Sequence, residues 1–271
     1  MENSKQEARE VIVAVEDLVR KFGDRVVLNG ITMKIYKGET FVIMGGSGCG
    51  KSTLLRHIIG NLKPTSGRVS LLGTDITKLD GAELDGVRKK IGMSFQSSAL
   101  FDSMTVGENV SLPLREHTKL GKSVIDIMVK MKLELVGLRG FEDLYPSEIS
   151  GGMKKRVGIA RAIAMDPQVV FYDEPTAGLD PIMSSVIDKL ILDLSKKLQI
   201  ASVVVTHDMK SVMNIADRIA MLYEGKVLQI GTPDEIRKSP NGIVQQFIQG
   251  SFDGPIRFFQ EKDDYLEQLT K

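Results

Sequence analysis

The chain has 271 residues, 42% hydrophobic and 26% charged, which suits one large globular α/β domain with appendages. A formal net charge of +1 gives no electrostatic argument for nucleic acid as a partner, and the one cysteine, Cys49, excludes an internal disulfide. No apolar run approaches the roughly 20 residues of a membrane span and no signal segment precedes the first strand, so we expect a cytoplasmic protein that reaches a membrane only through a partner.

The first part of the chain predicts strands around one helix. Apolar runs and apolar–polar alternation predict strands over 11–15, 26–36, 40–44, 69–72 and 91–95. A helix is expected from Lys51 to about Ile59, where Gly60 and Pro64 end it.

The middle, about 97–155, predicts a mostly helical subdomain inserted into this α/β core. Val124, Met128, Met131 and Leu135 recur at helical spacing, which predicts that they form the buried face of a helix that Gly137 ends.

From residue 156 onward, the sequence again predicts alternating strands and helices. The runs 169–172 and 201–205 are unbroken and apolar, as expected of strands buried on both faces. Asp180 is expected to cap a helix that opens with Pro181. A hairpin is predicted over 220–230, and Thr232 with Glu235 then forms a capping box.

A phosphate-binding loop follows the strand 40–44. Its residues are Gly45, Gly46, Ser47, Gly48, Cys49, Gly50, Lys51, Ser52 and Thr53. Glycines let successive backbone N–H groups turn toward phosphate oxygens, and the helix that starts near Lys51 points its positive end at the same place. Lys51 adds a charge for the β- and γ-phosphates, and Ser52 offers a hydroxyl to Mg²⁺. The pattern predicts an ATP site.

Two adjacent carboxylates, Asp173 and Glu174, end the apolar strand 169–172. Ligands of an α/β sheet bind at the carboxyl ends of its strands. Asp173 is therefore the candidate Mg²⁺ residue, and Glu174 the candidate base that orients or deprotonates the attacking water.

Ser150, Gly151 and Gly152 open a helix and form a candidate second anion site on the same chain. One nucleotide cannot occupy both sites in cis, so a head-to-tail dimer is predicted, with this site covering the γ-phosphate of the partner. The alternative, weighed evenly, is an ordinary capped helix whose Lys154, Lys155, Arg156 and Arg161 form a solvated basic face.

These motifs, together with Tyr172-Asp173-Glu174-Pro175 and Thr206-His207-Asp208, resemble the ATP-binding subunit of ABC transporters over about residues 10–240. The resemblance implies a P-loop NTPase (RecA-like) core with an N-terminal antiparallel β portion. It also implies that Phe22 stacks on adenine, that Gln96 contacts Mg²⁺ and water, that Asp180 belongs to a loop signalling across the dimer, and that His207 contacts the γ-phosphate. Glu174, His207, Gln96 and Lys51 are thus the candidate catalytic residues, and Ser52, Gln96 and Asp173 the candidate Mg²⁺ residues.

Met153, where the family commonly has glutamine, is followed by Lys154-Lys155-Arg156 and resembles the branch of ATPases partnered with MCE proteins, which includes Mla-type phospholipid transporters. The tail, with Phe252, Phe258, Phe259 and Tyr265, also resembles that branch. Aromatics in a segment too short for its own core suggest docking on another surface, here the neighbouring ATPase subunit. The alternative is a tail that packs on its own domain.

The resemblance implies an organisation and a function. The predicted units are a tail (1–10), an ATPase domain (11–240) with the helical subdomain at about 97–155, and a C-terminal extension (241–271). The expected partners are a second copy, a membrane permease and an MCE-domain protein, at the cytoplasmic face of the inner membrane. Phospholipid transport is the favoured function; the alternatives are a small-solute importer and a soluble, non-transport ABC ATPase.

Overall fold

The computed structural model describes residues 9–256. Its strands are β1 (Val11–Phe22), β2 (Arg25–Tyr36), β3 (Thr40–Met44), β4 (Ser66–Leu71), β5 (Thr74–Asp75), β6 (Ile91–Ser94), β7 (Val169–Asp173), β8 (Ala201–Thr206), β9 (Arg218–Tyr223) and β10 (Lys226–Gly231). Its α-helices are α1 (Lys51–Ile58), α2 (Gly81–Arg88), α3 (Val106–His117), α4 (Lys122–Leu135), α5 (Gly151–Ala162), α6 (Pro181–Leu198), α7 (Met209–Ile215), α8 (Pro233–Arg237) and α9 (Gly242–Gln249). A short 3₁₀ helix spans Pro146–Glu148.

The strands form two sheets. The smaller is antiparallel, in the order β2-β1-β4-β5. The larger has the order β10-β9-β3-β8-β7-β6, and its pairs from β9 to β6 are all parallel. Parallel strands end at one edge, so the segments that follow β3, β6, β7 and β8 meet there. The predicted core with an N-terminal antiparallel β portion is therefore observed.

The central strands lie between two hydrophobic cores. In β3, Phe41 and Ile43 face the core shared with the smaller sheet and α1, whereas Val42 and Met44 face the core shared with helices α3 to α7. All five β3 residues are buried. Burial on both faces is the reason that this strand is an unbroken apolar run instead of an alternating one.

The predicted elements are present with shifted ends, most of all β1, which was predicted over 11–15 and extends to Phe22. The predicted caps are confirmed. Asp180 accepts hydrogen bonds from the N–H groups of Ile182 and Met183, and Thr232 forms a capping box with Glu235. The helices α3, α4 and α5 fill the predicted helical region, although α5 continues past residue 155 to Ala162. The division into domains stays a prediction.

The predicted buried face of α4 is only partly correct: Met128 and Leu135 pack against the core, but the other two positions do not. Val124 and Met131 are 44% and 61% exposed, whereas Ile125, Val129 and Leu133 are buried. Because α4 is apolar around much of its circumference, helical spacing fits either set, and packing against α3 and α5 selects the second.

The C-terminal extension falls only partly within the described residues. Phe252 is 73% exposed, while Phe258, Phe259 and Tyr265 lie outside them. Across residues 9–256, the helices are all too short or too polar to cross a membrane.

Candidate active site

The phosphate-binding loop packs closely against β2 and β9 at two glycines whose surroundings leave no room for a side chain. A Cβ at Gly45 would lie 2.2 Å from the carbonyl oxygen of Leu222, and one at Gly50 would lie 2.8 Å from the Leu28 side chain. Gly48 and Gly50 also have φ values of 77° and 109°, a region that glycine enters most easily. The observed path of the loop therefore depends on glycine at these positions.

Lys51 lies within the loop that precedes it. Its ammonium group donates to the carbonyl oxygens of Gly45 and Gly46, at 2.7 and 3.0 Å. Ser52 is exposed and Thr53 is half-buried, while Cys49 is buried and burial raises the pKa of its thiol. The charge of Lys51 is thus fixed at the centre of the loop, where a phosphate group would contact it.

Asp173 lies at the end of β7, beside the phosphate-binding loop. Its Oδ1 atom is buried without a hydrogen-bond partner within residues 9–256. Burial raises the pKa of Asp173, and the neighbouring Glu174 charge adds to the rise, while Arg56 and Lys51 oppose it. A buried carboxylate oxygen without a donor is costly unless a cation or other ligand satisfies it.

Glu174 and His207 are in direct contact across the ends of β7 and β8. The His207 Nδ1 lies 2.9 Å from Glu174 Oε1, and the Glu174 side chain is only 12% exposed. The backbone N–H of Glu174 donates to the Val205 carbonyl, and its φ of 47° lies in the left-handed region. This strained turn directs the carboxylate toward the edge where the phosphate-binding loop lies.

Gln96 follows β6 and borders the same region. An open cavity of about 520 Å³ adjoins Asp173 and has Gln96 on its wall, along with Phe95, Ser97, Ala177 and Gly178. The structure therefore brings together, at one sheet edge, the four predicted segments that follow parallel strands. Gln96 is exposed and adjoins this space.

Other predicted residues lie on separate elements. Phe22 ends β1 in the smaller sheet, 48% exposed and beneath the guanidinium of Arg20 at 4.4 Å. Ser150 caps α5 by accepting the Met153 N–H, and Asp180 caps α6. Gly152 lies against the side chain of Met183, which a Cβ would approach to 2.6 Å.

The alternative of a solvated basic face on α5 does not describe Lys155, Arg156 and Arg161, which all donate to backbone carbonyls. Lys155 is buried and donates to the backbone carbonyls of Gln96 and Glu174, and Arg161 donates to those of Ser98 and Ala99. Arg156 likewise donates to the carbonyls of Val136 and Gly137. The sequence shows these cations but not their carbonyl partners, which only the folded chain brings near.

At one edge of the large sheet, the structure brings together a glycine-rich loop, the lysine held within it, two adjacent carboxylates and a histidine. This fold and this site define a P-loop nucleotide-hydrolysing enzyme. Residues 28–177 match the family described as ABC transporter. The chain is 45% identical over 258 residues to the intermembrane phospholipid transport system ATP-binding protein MlaF of Haemophilus influenzae, covering 95% of this chain and 98% of that protein.

A second relative and a solved structure also belong to ATP-binding proteins of this kind. The chain is 39% identical over 254 residues to the probable ribonucleotide transport ATP-binding protein mkl of Mycobacterium leprae, covering 94% of this chain and 73% of that protein. A dimeric post-hydrolysis structure of the ATP-binding cassette MJ0796, bound to ADP and Pi, matches with a TM-score of 0.75 and 33% identity, covering 82% of this chain and 98% of that one. The chain therefore belongs to the ABC transporter family and is an ATPase of that family.

Proposed function

We propose that the chain is the ATP-hydrolysing subunit of a complex that moves phospholipids between membranes. The observation that carries this proposal is the 45% identity to MlaF, because the alignment covers nearly the whole of both chains. Met153 and the basic residues after it, which resemble the MCE-associated branch, lie inside that alignment.

We assign ATP to the phosphate-binding loop, with Phe22 against the adenine ring. The loop N–H groups and the Lys51 ammonium hold the phosphates, and the Glu174 carboxylate orients or deprotonates the attacking water. His207, which is in contact with Glu174, would contact the γ-phosphate. Catalysis of this kind is positioning and electrostatic stabilisation instead of covalent chemistry.

The residues present fit a Mg²⁺ ion. The Oδ1 of Asp173 is buried without a partner within the described residues, and Mg²⁺ in nucleotide sites is bound by one or two carboxylates together with substrate phosphates. Asp173, the Ser52 hydroxyl and Gln96 would hold the ion. When bound, it neutralises charge on the phosphate oxygens.

Two copies would complete each site. Ser150, Gly151 and Gly152 open α5 on a different element from the phosphate-binding loop, and Ser150 and Gly151 are exposed. The helix N-terminus would cover the γ-phosphate held by the partner copy. The dimeric state of MJ0796 supports this arrangement. The loop before Asp180 would signal between the two sites.

The helical region and the C-terminal extension would contact the other subunits of the complex. The helical region, with Gln96 at its edge, would transmit closure to a membrane permease and through it to an MCE-domain protein. The subunit would thus lie at the cytoplasmic face of the inner membrane, attached through the permease. The extension 241–271 would contact the neighbouring ATPase subunit.

A small-solute importer is the second candidate. The name of the Mycobacterium leprae relative, probable ribonucleotide transport ATP-binding protein, favours it. That alignment has lower identity and covers less of the relative, so phospholipid transport stays preferred.

A pull-down tests the proposal. The tagged full chain is purified from its source in mild detergent, with an untagged strain as control, and its partners are identified by mass spectrometry. We expect a polytopic permease together with an MCE-domain protein. A solute permease without an MCE protein would favour the second candidate, and ribosomal or DNA-repair partners alone would contradict a transporter.

A further inference from the structure

Lys155 is a buried cation that joins two parts of the active site. It lies in the second turn of α5 and is 8% exposed. Its ammonium group donates to the carbonyl oxygen of Gln96 at 2.5 Å and reaches that of Glu174 at 3.4 Å. One side chain of the helical region thus contacts the backbone of Gln96, which lines the cavity beside Asp173, and of Glu174, which follows Asp173 in the chain.

The loop after Gln96 is held by the same helix at a second place. The Arg161 guanidinium donates to the carbonyls of Ser98 and Ala99 at 2.7 and 2.8 Å. Ser98 and Ala99 have φ values of 62° and 45°, and two successive residues in this region need external support. A Cβ at Gly158 would lie 3.3 Å from the Ser98 side chain, so helix and loop are in close contact. These contacts attach the loop firmly to α5.

The Lys155–Glu174 contact differs from the Arg161 contacts, because it joins the helical region to a residue of the ATPase core. Glu174 follows β7, and its own N–H is bonded to Val205 of β8. Gln96 and Glu174 follow β6 and β7, two neighbouring strands of the large sheet, so a movement of α5 relative to that sheet would change how Lys155 contacts both carbonyls.

We propose that Lys155 is a positioning residue. It links the position of α5 to the backbone of Gln96 and Glu174, and so sets the alignment of these two residues for hydrolysis. The inference rests on the proposed role of Glu174 as the base. It adds a residue that acts through two others and does not touch the nucleotide itself.

The charge of Lys155 is part of this role. Burial lowers the pKa of Lys155, and the Glu174 carboxylate opposes that change. A neutral side chain without donors would leave the Gln96 carbonyl without the donor that it has in this structure. Hydrogen bonds from a charged donor are worth more than neutral ones, and an unsatisfied buried carbonyl is costly.

The test compares Lys155→Met with Lys154→Met in the full chain. Lys154 is the adjacent residue of the same helix and is half-buried, so its variant loses the same charge and length. Rates of ATP hydrolysis are measured against ATP concentration. We expect Lys155→Met to lower kcat by about tenfold or more, with KM for ATP changed by less than about threefold, because misalignment affects the chemical step more than binding.

The conservative variant separates positioning from folding. Lys155→Arg keeps a charged donor and is expected to recover most of kcat, while Lys154→Met stays near the wild type. Where Lys155→Met does not fold, Lys155→Gln replaces it; its amide can serve one carbonyl, and an intermediate kcat is expected. The inference is overturned by unchanged kcat in the variant that folds, by an equal loss in Lys154→Met, by an effect on KM alone, or by no recovery with arginine.

Failure of this inference is distinct from failure of the proposed function. If the wild-type chain hydrolyses ATP and Glu174→Gln does not, but Lys155→Met resembles the wild type, only the role of Lys155 is wrong. If the wild type hydrolyses no ATP with its membrane partners, the proposed function itself is wrong.

Discussion

At the residue scale, Asp173 is a carboxylate whose burial favours its protonated form. The side chain is held near Glu174, with a buried Oδ1 that has no donor within the described part of the chain. Burial is the main reason that its pKa lies above the ordinary value of 3.8. A site prepared for a cation has this property, because the ion supplies the missing interaction.

The stability of the unliganded protein should therefore depend on pH at Asp173. A carboxyl with a raised pKa binds its proton more tightly in the folded than in the unfolded chain, so folding stability falls as the pH rises from the ordinary value through the raised one. We expect Asp173→Asn to raise Tm by about 2–4 °C at about pH 7 without nucleotide or metal, and by less toward about pH 4. Thermal unfolding followed by circular dichroism measures this.

Asp102→Asn is the matched control, since Asp102 is an exposed aspartate outside this site. Its Tm difference from the wild type should be small at both pH values. A lower Tm for Asp173→Asn at neutral pH would show that Asp173 stabilises the unliganded fold, contrary to this prediction.

At the element scale, the phosphate-binding loop depends on the hairpin beside it. Gly45 has its Cα against the carbonyl of Leu222 in β9, and the Gly225 N–H donates to the Cys49 carbonyl at 3.2 Å. The loop is thus shaped by β9 and the turn after it, which are distant in sequence.

Gly45→Ala and Gly46→Ala test this dependence. A Cβ at Gly45 would meet backbone at 2.2 Å, whereas one at Gly46 would meet nothing within 4 Å. We expect Gly45→Ala to lower the free energy of unfolding by roughly 2–4 kcal/mol and Gly46→Ala by about 0.5 kcal/mol or less. Urea denaturation of both variants measures the difference; equal losses would mean that the contact with Leu222 does not constrain the loop.

At the scale of the whole molecule, the predicted ATP site is divided between surfaces. Lys51, Asp173, Glu174 and His207 meet at one sheet edge, while Ser150 lies at the N-terminus of α5. The proposed dimer, with ATP between these surfaces, would explain why one chain carries two predicted phosphate-binding segments.

Glu174→Gln should trap this dimer. The variant keeps the shape of the side chain and loses the base, so we expect ATP binding like that of the wild type, turnover reduced by about a hundredfold or more, and a dimer that forms with ATP. Size-exclusion chromatography with light scattering measures the mass. Lys51→Ala, which lacks the charge for the phosphates, should stay monomeric under the same conditions. A Glu174→Gln variant that stays monomeric with bound ATP would contradict the proposed dimer.

Local sequence determined most of the fold. Both buried strands that carry Asp173 and His207, the loop ending at Lys51 and the caps Asp180 and Thr232 follow from short patterns, because periodicity, glycine and capping side chains act within a few residues. The helices α2, α7 and α9 and the short strand β5 were not predicted. The helix α2 illustrates why. It contains Gly81 and Gly86, which weaken the helical signal, and the burial of Leu84 and Val87 stabilises it instead.

The sequence by itself predicted which side chains this protein offers to a nucleotide, since the motifs are contiguous, and Lys51, Glu174 and His207 each come shortly after a strand whose end is an expected binding edge. Only the tertiary structure decided what those side chains contact. It placed His207 on Glu174, buried the Oδ1 of Asp173 with no hydrogen-bond partner among residues 9–256, turned Met131 outward, and buried Lys155 against two carbonyls. These outcomes depend on which distant segments pack together, and long-range packing is not encoded in the spacing of neighbouring residues.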